Sequence, residues 1–244
     1  MVLGLKLLNN MVTVYIITYN EEVFIEFCIN HYRKIFPNCI IKIYDNHSTD
    51  NTVKIAESFE CEIQSYDTNN TFDEKTLLEI KNKCWKTSET DWVVVCDCDE
   101  LIQITQDDLI NESNKGTTLF KFIGYHMVNT GDTINIGEIN LGFSDTLYDK
   151  TLLFNKRKIN NIKYEPGCHI SHPNGEVKYS EHRYNMLHYK YLGVEYTVSR
   201  YKLFADRLSD LNKSMRWSYH YAKHESELRQ YYRDMNTRNL IKLV

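Results

Sequence analysis

Three prolines and nine glycines among 244 residues leave this chain poor in the residues that build linkers. A Pro-rich hinge and a low-complexity segment are thereby excluded. No run approaches the roughly 20 consecutive apolar residues that cross a bilayer, so an integral membrane protein is excluded as well. Residues 1–10 are partly apolar but lack a basic start, a long hydrophobic middle and a small-residue cleavage site; no signal peptide is expected. Seven cysteines (Cys28, Cys39, Cys61, Cys84, Cys96, Cys98, Cys168) are an odd number scattered through apolar runs. That pattern suits reduced thiols in a cytoplasmic protein better than a disulfide framework. Cys96 and Cys98, even with His169 and His172, lack the usual Cys-x₂₋₄-Cys spacing of zinc sites. Zinc-finger and RNP signatures are missing too, and the net charge is −4, which excludes nucleic acid as a partner.

What is present is a soluble composition, 42% hydrophobic and 25% charged, in a length that fits one large domain. Charge is unevenly divided. Residues 200–244 hold 10 Lys/Arg against 5 Asp/Glu, while the rest holds 19 against 28. The division expected is a catalytic domain over 1–195 and a helical extension over 196–244, packed on the same domain. Such a basic tail is a solvated helix face, or offers contact to an anionic acceptor, to a membrane surface in a peripheral mode, or to the acidic body itself.

Pattern along the chain gives the fold class. Residues 12–19, 40–44, 61–66 and 91–97 are short β-branched or aromatic runs, and helical periodicity fills the gaps between them. Asn20 is placed to cap the first helix, with Glu21 and Glu22 in its first turn and Pro37 after its end. Residues 73–86 form an amphipathic helix. Four strands with three crossovers make an α/β, doubly wound, mostly parallel sheet, Rossmann-like, with ligands beyond the strands' carboxyl ends. After residue 116 the pattern becomes strands and polar loops, a mixed-sheet extension. Tyr201, Phe204, Leu208, Leu211 and Met215 then recur at steps of three and four, one long helix, and 225–235 suggests another.

The chemistry lies at strand ends. The strand over 91–97 runs into Asp97-Cys98-Asp99-Glu100. Two carboxylates two residues apart on a strand share one side and suit a hard divalent cation that also holds phosphate oxygens. Alongside lie Thr18-Tyr19-Asn20-Glu21 and Asp45-Asn46-His47-Ser48-Thr49-Asp50.

In order and spacing, ITYNEEVFIEFCINHY, IYDNHSTDNT, IKNKCWKTSETDWVVVCDCDE and LHYKYLGVEYTVSRYKLFADR resemble the GT-A nucleotide-sugar glycosyltransferases, in the glycosyltransferase family 2-like branch. The likeness is good over 12–101 and thinner beyond. It implies a nucleotide pocket lined by Thr18, Tyr19, Asn20 and Glu21, with Asp45 accepting a hydrogen bond from the base and Asn46, Ser48 and Asp50 shaping that loop. A carboxylate suits the imide N–H of uracil, hence a UDP-sugar donor. Lys81 and Asn82 match the Arg/Lys-Asn pair of the family. Lys81 then reaches the nucleotide or is an ordinary exposed lysine. Asp97 and Asp99 match Asp-x-Asp, the expected ligands of Mn²⁺ or Mg²⁺ and through it of the diphosphate, with His188 as third ligand or merely a hydrogen-bonded histidine. Arg200 neutralises phosphate or lies on a solvated face.

Inverting transfer to a glycan or glycoconjugate hydroxyl needs a general base. No family motif supplies one clearly; Glu165, His169 and Asp145 are the local candidates, Pro166-Gly167 making a sharp loop beside the first two. Two rival readings are a sugar nucleotidyltransferase, which should open with a Gly-rich phosphate loop absent from 16–21, and a non-catalytic carbohydrate-binding module on the same fold.

Overall fold

The computed structural model describes residues 11–244, so the signal-peptide expectation for residues 1–10 lies outside the described residues. The first half alternates strand and helix: β1 (Val12–Thr18), α1 (Ile25–Ile35), β2 (Ile40–Asp45), α2 (Thr52–Ser58), β3 (Glu62–Ser65), α3 (Glu74–Lys83) and β4 (Trp92–Asp97). Strands β3-β2-β1-β4 are parallel neighbours. Every residue of β1 is buried, as a central strand covered on both faces requires. Val12, Val14 and Ile16 pack with Phe24, Ile25, Cys28 and Tyr32 of the α1 side, whereas Tyr15, Val93 and Val95 meet Trp85 on the other. Trp85 stands edge-on to Phe154 at 5.0 Å between centroids, a contact that fixes how the chain after α3 sits on the sheet.

Beyond β4 the sheet becomes mixed. The chain runs through β5 (Glu100–Gln103), α4 (Gln106–Asn114), β6 (Leu119–Val128), β7 (Leu141–Ser144), β8 (Leu153–Asn155), β9 (Ile159–Asn161), β10 (Asn174–Gly175) and β11 (Tyr179–Tyr191). Strand β8 is antiparallel to β4 and β6, β7 is antiparallel to β6, and β11 runs parallel to β6 and antiparallel to β5. Helices α5 (Val194–Arg207), α6 (Asp210–Met215) and α7 (Glu225–Asn236) follow, and β12 (Ile241–Lys242) closes on the sheet edge at β7. No helix among the described residues is long and apolar enough to cross a membrane.

Three local expectations need correction. Asn20 does not cap α1: the helix starts after Phe24, and Asn20, at φ 52°, accepts from the Thr49 backbone N–H at 2.7 Å instead. Its short amide tolerates the left-handed region and ties one strand-end loop to the next. The helix after Asp73 ends at Lys83 and tightens into a 3-10 turn over Cys84–Thr87. The long periodic helix after Tyr196 breaks at Leu208, where Ser209 caps a second helix through the Asn212 N–H at 3.1 Å. Periodicity continued across a break that tertiary contact imposes: Leu208 forms a bridge with Phe72, and Asn212 donates to the Phe72 carbonyl at 3.0 Å.

Candidate active site

The cavity opens at the carboxyl ends of β1, β2 and β4, where Thr18, Tyr19, Asn46, Asp97 and Asp99 border it. Strand β4 ends at Asp97, and Cys98 and Asp99 turn the chain into β5. Because the strand stops there, the alternation expected of Asp97 and Asp99 no longer applies, and the two carboxylates face different partners. Asp97 Oδ1 lies 2.6 Å from Lys81 Nζ, with Lys150 Nζ 3.8 Å from Oδ2. Asp99 Oδ2 lies 3.3 Å from His188 Nε2.

Charge balance follows from these pairs. Burial pushes the Asp97 carboxyl up, but Lys81 and Lys150 outweigh it and hold the group below the usual carboxylate range. Asp99 is likewise penalised by burial and pulled well down by His188, with Arg200 and Lys190 behind it. Lys150, itself buried, is also ion-paired with Glu100. Arg200 pairs with Glu21 and donates to the Asn20 carbonyl at 2.7 Å. Burial raises the Glu21 carboxyl to about 8 against that pull. Lys190 is lowered to about 8 by burial; it donates to His220 Nε2 at 3.3 Å and lies 5.1 Å from the ring centroids of Tyr201 and Tyr221.

The sequence-derived site residues separate into two groups. Thr18, Tyr19, Glu21, Asn46, Lys81, Asp97, Asp99, His169, His188 and Arg200 border the cavity. Asn20, Asp45, Ser48, Asp50, Asn82, Asp145 and Glu165 do not. Asp45 is 2% exposed, and its carboxylate accepts from Thr18 Oγ1 at 3.2 Å, Ser48 Oγ at 2.5 Å and the Ser48 N–H at 2.9 Å. Its oxygens hold the β2 loop together as a turn. Asp50 accepts from the Thr52 N–H, and Asn82 accepts from the Tyr164 N–H at 2.9 Å. Lys81 is no ordinary exposed lysine: it is 5% exposed.

The base candidates fare unequally. Glu165 is exposed and 2.7 Å from His172 Nε2, outside the cavity. Asp145 caps the 3-10 turn at Thr146–Tyr148 and lies 3.7 Å from His126 Nε2. Only His169 of the three reaches the cavity; burial, then Lys150 and His188, lower its imidazole to about 3. Gly167, at φ 78°, lets that loop turn: a Cβ there would meet His169 Cδ2 at 2.9 Å.

Cavity residues that sequence reasoning missed include Glu74, Tyr148, Lys150, Lys190 and Arg207. Lys190 was legible in principle, since it lies two residues after His188 on one strand and therefore on the same side. Lys150 and Arg207 carried no local signal.

For a divalent cation, Asp99 and His188 fit. Ligand atoms on adjacent corners of a hard-metal octahedron lie about 3 Å apart, close to their 3.3 Å separation. Asp97 fits only once Lys81 withdraws. Among the described residues no group of three or more His, Cys, Asp or Glu side chains gathers as a ligand set.

Residues 13–110 match the Glycosyl transferase family 2 model. The matched segment, about two-fifths of the chain, is similar to the family 2 glycosyltransferases. No curated protein matches the chain. Among solved structures, S. aureus TarS is 16% identical, with 80% of this chain and 39% of that chain covered, at a TM-score of 0.49. TarS 1-349 in complex with UDP is 15% identical over 91% and 70% of the two chains, also at 0.49. Glucosyl-3-phosphoglycerate synthase from Mycobacterium tuberculosis, in complex with Mn²⁺, UDP and glucosyl-3-phosphoglycerate, is 18% identical over 47% and 44%, at 0.34. This chain thus spans well under half of the TarS chain. At such scores the likenesses decide nothing about chemistry.

Proposed function

We propose that the chain transfers a sugar from a nucleoside-diphosphate donor, UDP-linked, to a hydroxyl of a glycan or glycoconjugate, with inversion. The observation that carries this reading is the pair of ionised carboxylates, Asp97 and Asp99, facing a cavity at the carboxyl ends of parallel strands in a segment similar to the family 2 glycosyltransferases. Lys81, Lys150, Lys190 and Arg200 surround them and supply positive charge where a diphosphate leaves. Asp99 and His188 would hold a Mn²⁺ or Mg²⁺ ion, which when bound would supply further positive charge for the leaving diphosphate. Tyr148, whose ring lies 4.8 Å from that of His169 and 5.4 Å from that of His188, fixes the orientation of both imidazoles.

His169 is the base we assign for the acceptor hydroxyl. A neutral imidazole accepts a proton only weakly when burial and neighbouring cations oppose its charge, so transfer that depends on it is slow until a bound donor adds negative charge beside it. Part of the basic tail turns into the fold, as the Arg200 pair with Glu21 shows; Lys202, Lys213, Arg216 and Lys223 are among its exposed residues, left for an anionic acceptor or a membrane surface.

A melting-temperature panel of UDP, GDP, CDP and ADP, each with Mn²⁺ or a chelator, tests the donor reading. UDP with Mn²⁺ should give the largest rise. A larger rise with GDP removes the uracil assignment, and no rise with any nucleotide removes the reading.

A further inference from the structure

Arg207 ends α5, beyond the segment that matches family 2. It is 6% exposed, yet its side chain borders the cavity beside Tyr19, Asn46 and Tyr66. Its guanidinium carbon lies 3.1 Å from the centroid of the Tyr19 ring. Nε donates to the Asn70 carbonyl at 3.2 Å and Nη2 reaches the Thr71 carbonyl at 3.5 Å. Nη1 has no partner, although it is buried. Among the described residues no carboxylate lies within ion-pair reach of Arg207, whereas Arg200 has Glu21 beside it.

The backbone holds this guanidinium in place. The Phe72 N–H donates to the Arg207 carbonyl at 2.5 Å, and the Ser209 N–H donates to the Phe72 carbonyl at 3.1 Å. A cation fixed so firmly, with one nitrogen unpartnered and no anion beside it, is set to take an acceptor atom from a ligand. A nucleoside diphosphate offers acceptors on its phosphates, its ribose and its base. The phosphates have their own cations near Asp97 and Asp99, namely Lys81, Lys150, Lys190 and Arg200. Around Arg207 the lining is aromatic and amide, which suits a flat ring that stacks and offers a carbonyl oxygen. Asp45, the other group at this end, is closed off by Thr18 and Ser48.

We propose that Arg207 reads the base of the donor nucleotide, donating to a ring carbonyl oxygen, so that uracil, cytosine or guanine is preferred to adenine, which has none. The assignment rests on the nucleotide-sugar reading above and makes Arg207 a specificity residue contributed by the C-terminal helices.

Calorimetric titration of uridine, UDP and ADP into wild type, Arg207→Met and Arg207→Lys tests it. Methionine keeps an apolar stem against Tyr19 and removes every donor. We expect uridine and UDP to weaken by the same factor, tenfold or more, with ADP unchanged, and lysine to recover part of the loss. UDP weakened with uridine unchanged would make Arg207 a phosphate contact and overturn the proposal. Equal weakening of UDP and ADP would make it a structural residue and would overturn the proposal as well. Should Arg207→Met fail to fold, the ratio of UDP to ADP affinity in Arg207→Lys decides: a ratio equal to that of the wild type overturns the proposal. A wild type that binds no nucleoside diphosphate removes the nucleotide reading itself; a wild type that binds UDP while Arg207→Met binds it equally well removes Arg207 alone.

Discussion

Lys81 and Asp97 meet at 2.6 Å between ammonium nitrogen and carboxylate oxygen, and this pair places a lysine where the family resemblance expects a metal ion. Two positive charges do not share one carboxylate without cost, so Lys81 and a divalent cation compete for Asp97 unless a diphosphate draws the lysine away.

Lys81→Met separates the two roles. Removing one partner of a buried pair costs up to about 3–5 kcal/mol when the other charge is stranded. The Asp97 side chain is 38% exposed and keeps Lys150 at 3.8 Å, so a loss nearer about 1–2 kcal/mol is expected in urea denaturation. In the same variant Mn²⁺ alone should bind more tightly than in the wild type, measured by the loss of the free-ion electron spin resonance signal. Unchanged or weaker Mn²⁺ binding would count against Asp97 as a ligand.

The three base candidates make an ordered prediction. His169→Asn should lower transfer by about 10²- to 10⁴-fold, the usual range for a lost general base, with donor binding nearly intact. Glu165→Gln and Asp145→Asn should each stay within a few-fold of wild type, because neither borders the cavity. Transfer rates and UDP affinities measured on all three variants check this; a Glu165→Gln enzyme slower than His169→Asn reverses the assignment.

Acid should destabilise the fold through His126. Burial first, then His188 with Lys190 and Arg238, pushes this 1% exposed imidazole down to about 2, while Asp99 pulls weakly the other way and Asp145 stands 3.7 Å off. Its unfolded value is about 6.5. Below that pH the unfolded chain binds a proton that the native state refuses. The stability is therefore present above about 6.5 and is lost as pH falls toward the native value, at up to about 1.4 kcal/mol per pH unit. His126→Gln should flatten the dependence of unfolding free energy on pH between 6 and 4. Equal slopes in the two proteins would contradict the depressed imidazole.

How legible this was in the sequence depended on whether local pattern or distant contact decided the outcome. The hydrophobic runs ending in Thr18, Asp45 and Asp97 announced parallel strands because central strands buried on both faces leave few polar residues. The strand-end polar clusters followed from the same reading. The hold of Asp45 on its own loop followed from residue type as well, since Asp and Ser at a strand end close turns through their side chains. The break at Leu208 was hidden because helical spacing runs through it, and only the Phe72 bridge and the Asn212 amide, about 140 positions from their partners in sequence, impose it. Lys150 and Arg207 were invisible for the same reason: nothing nearby in sequence says that they end at the cavity.

The central claim is that Asp99 takes part in cleaving a nucleotide sugar. Release of nucleoside diphosphate from a panel of UDP-sugars, with Mn²⁺ and a mixture of glycan acceptors, is followed by mass spectrometry for wild type and Asp99→Asn. Acceptor-dependent release of UDP and a glycosylated product are expected with the wild type, and a loss of at least about a hundredfold in rate with a still-folded Asp99→Asn. Equal release by both proteins, or none from any UDP-sugar by the wild type, would contradict that claim.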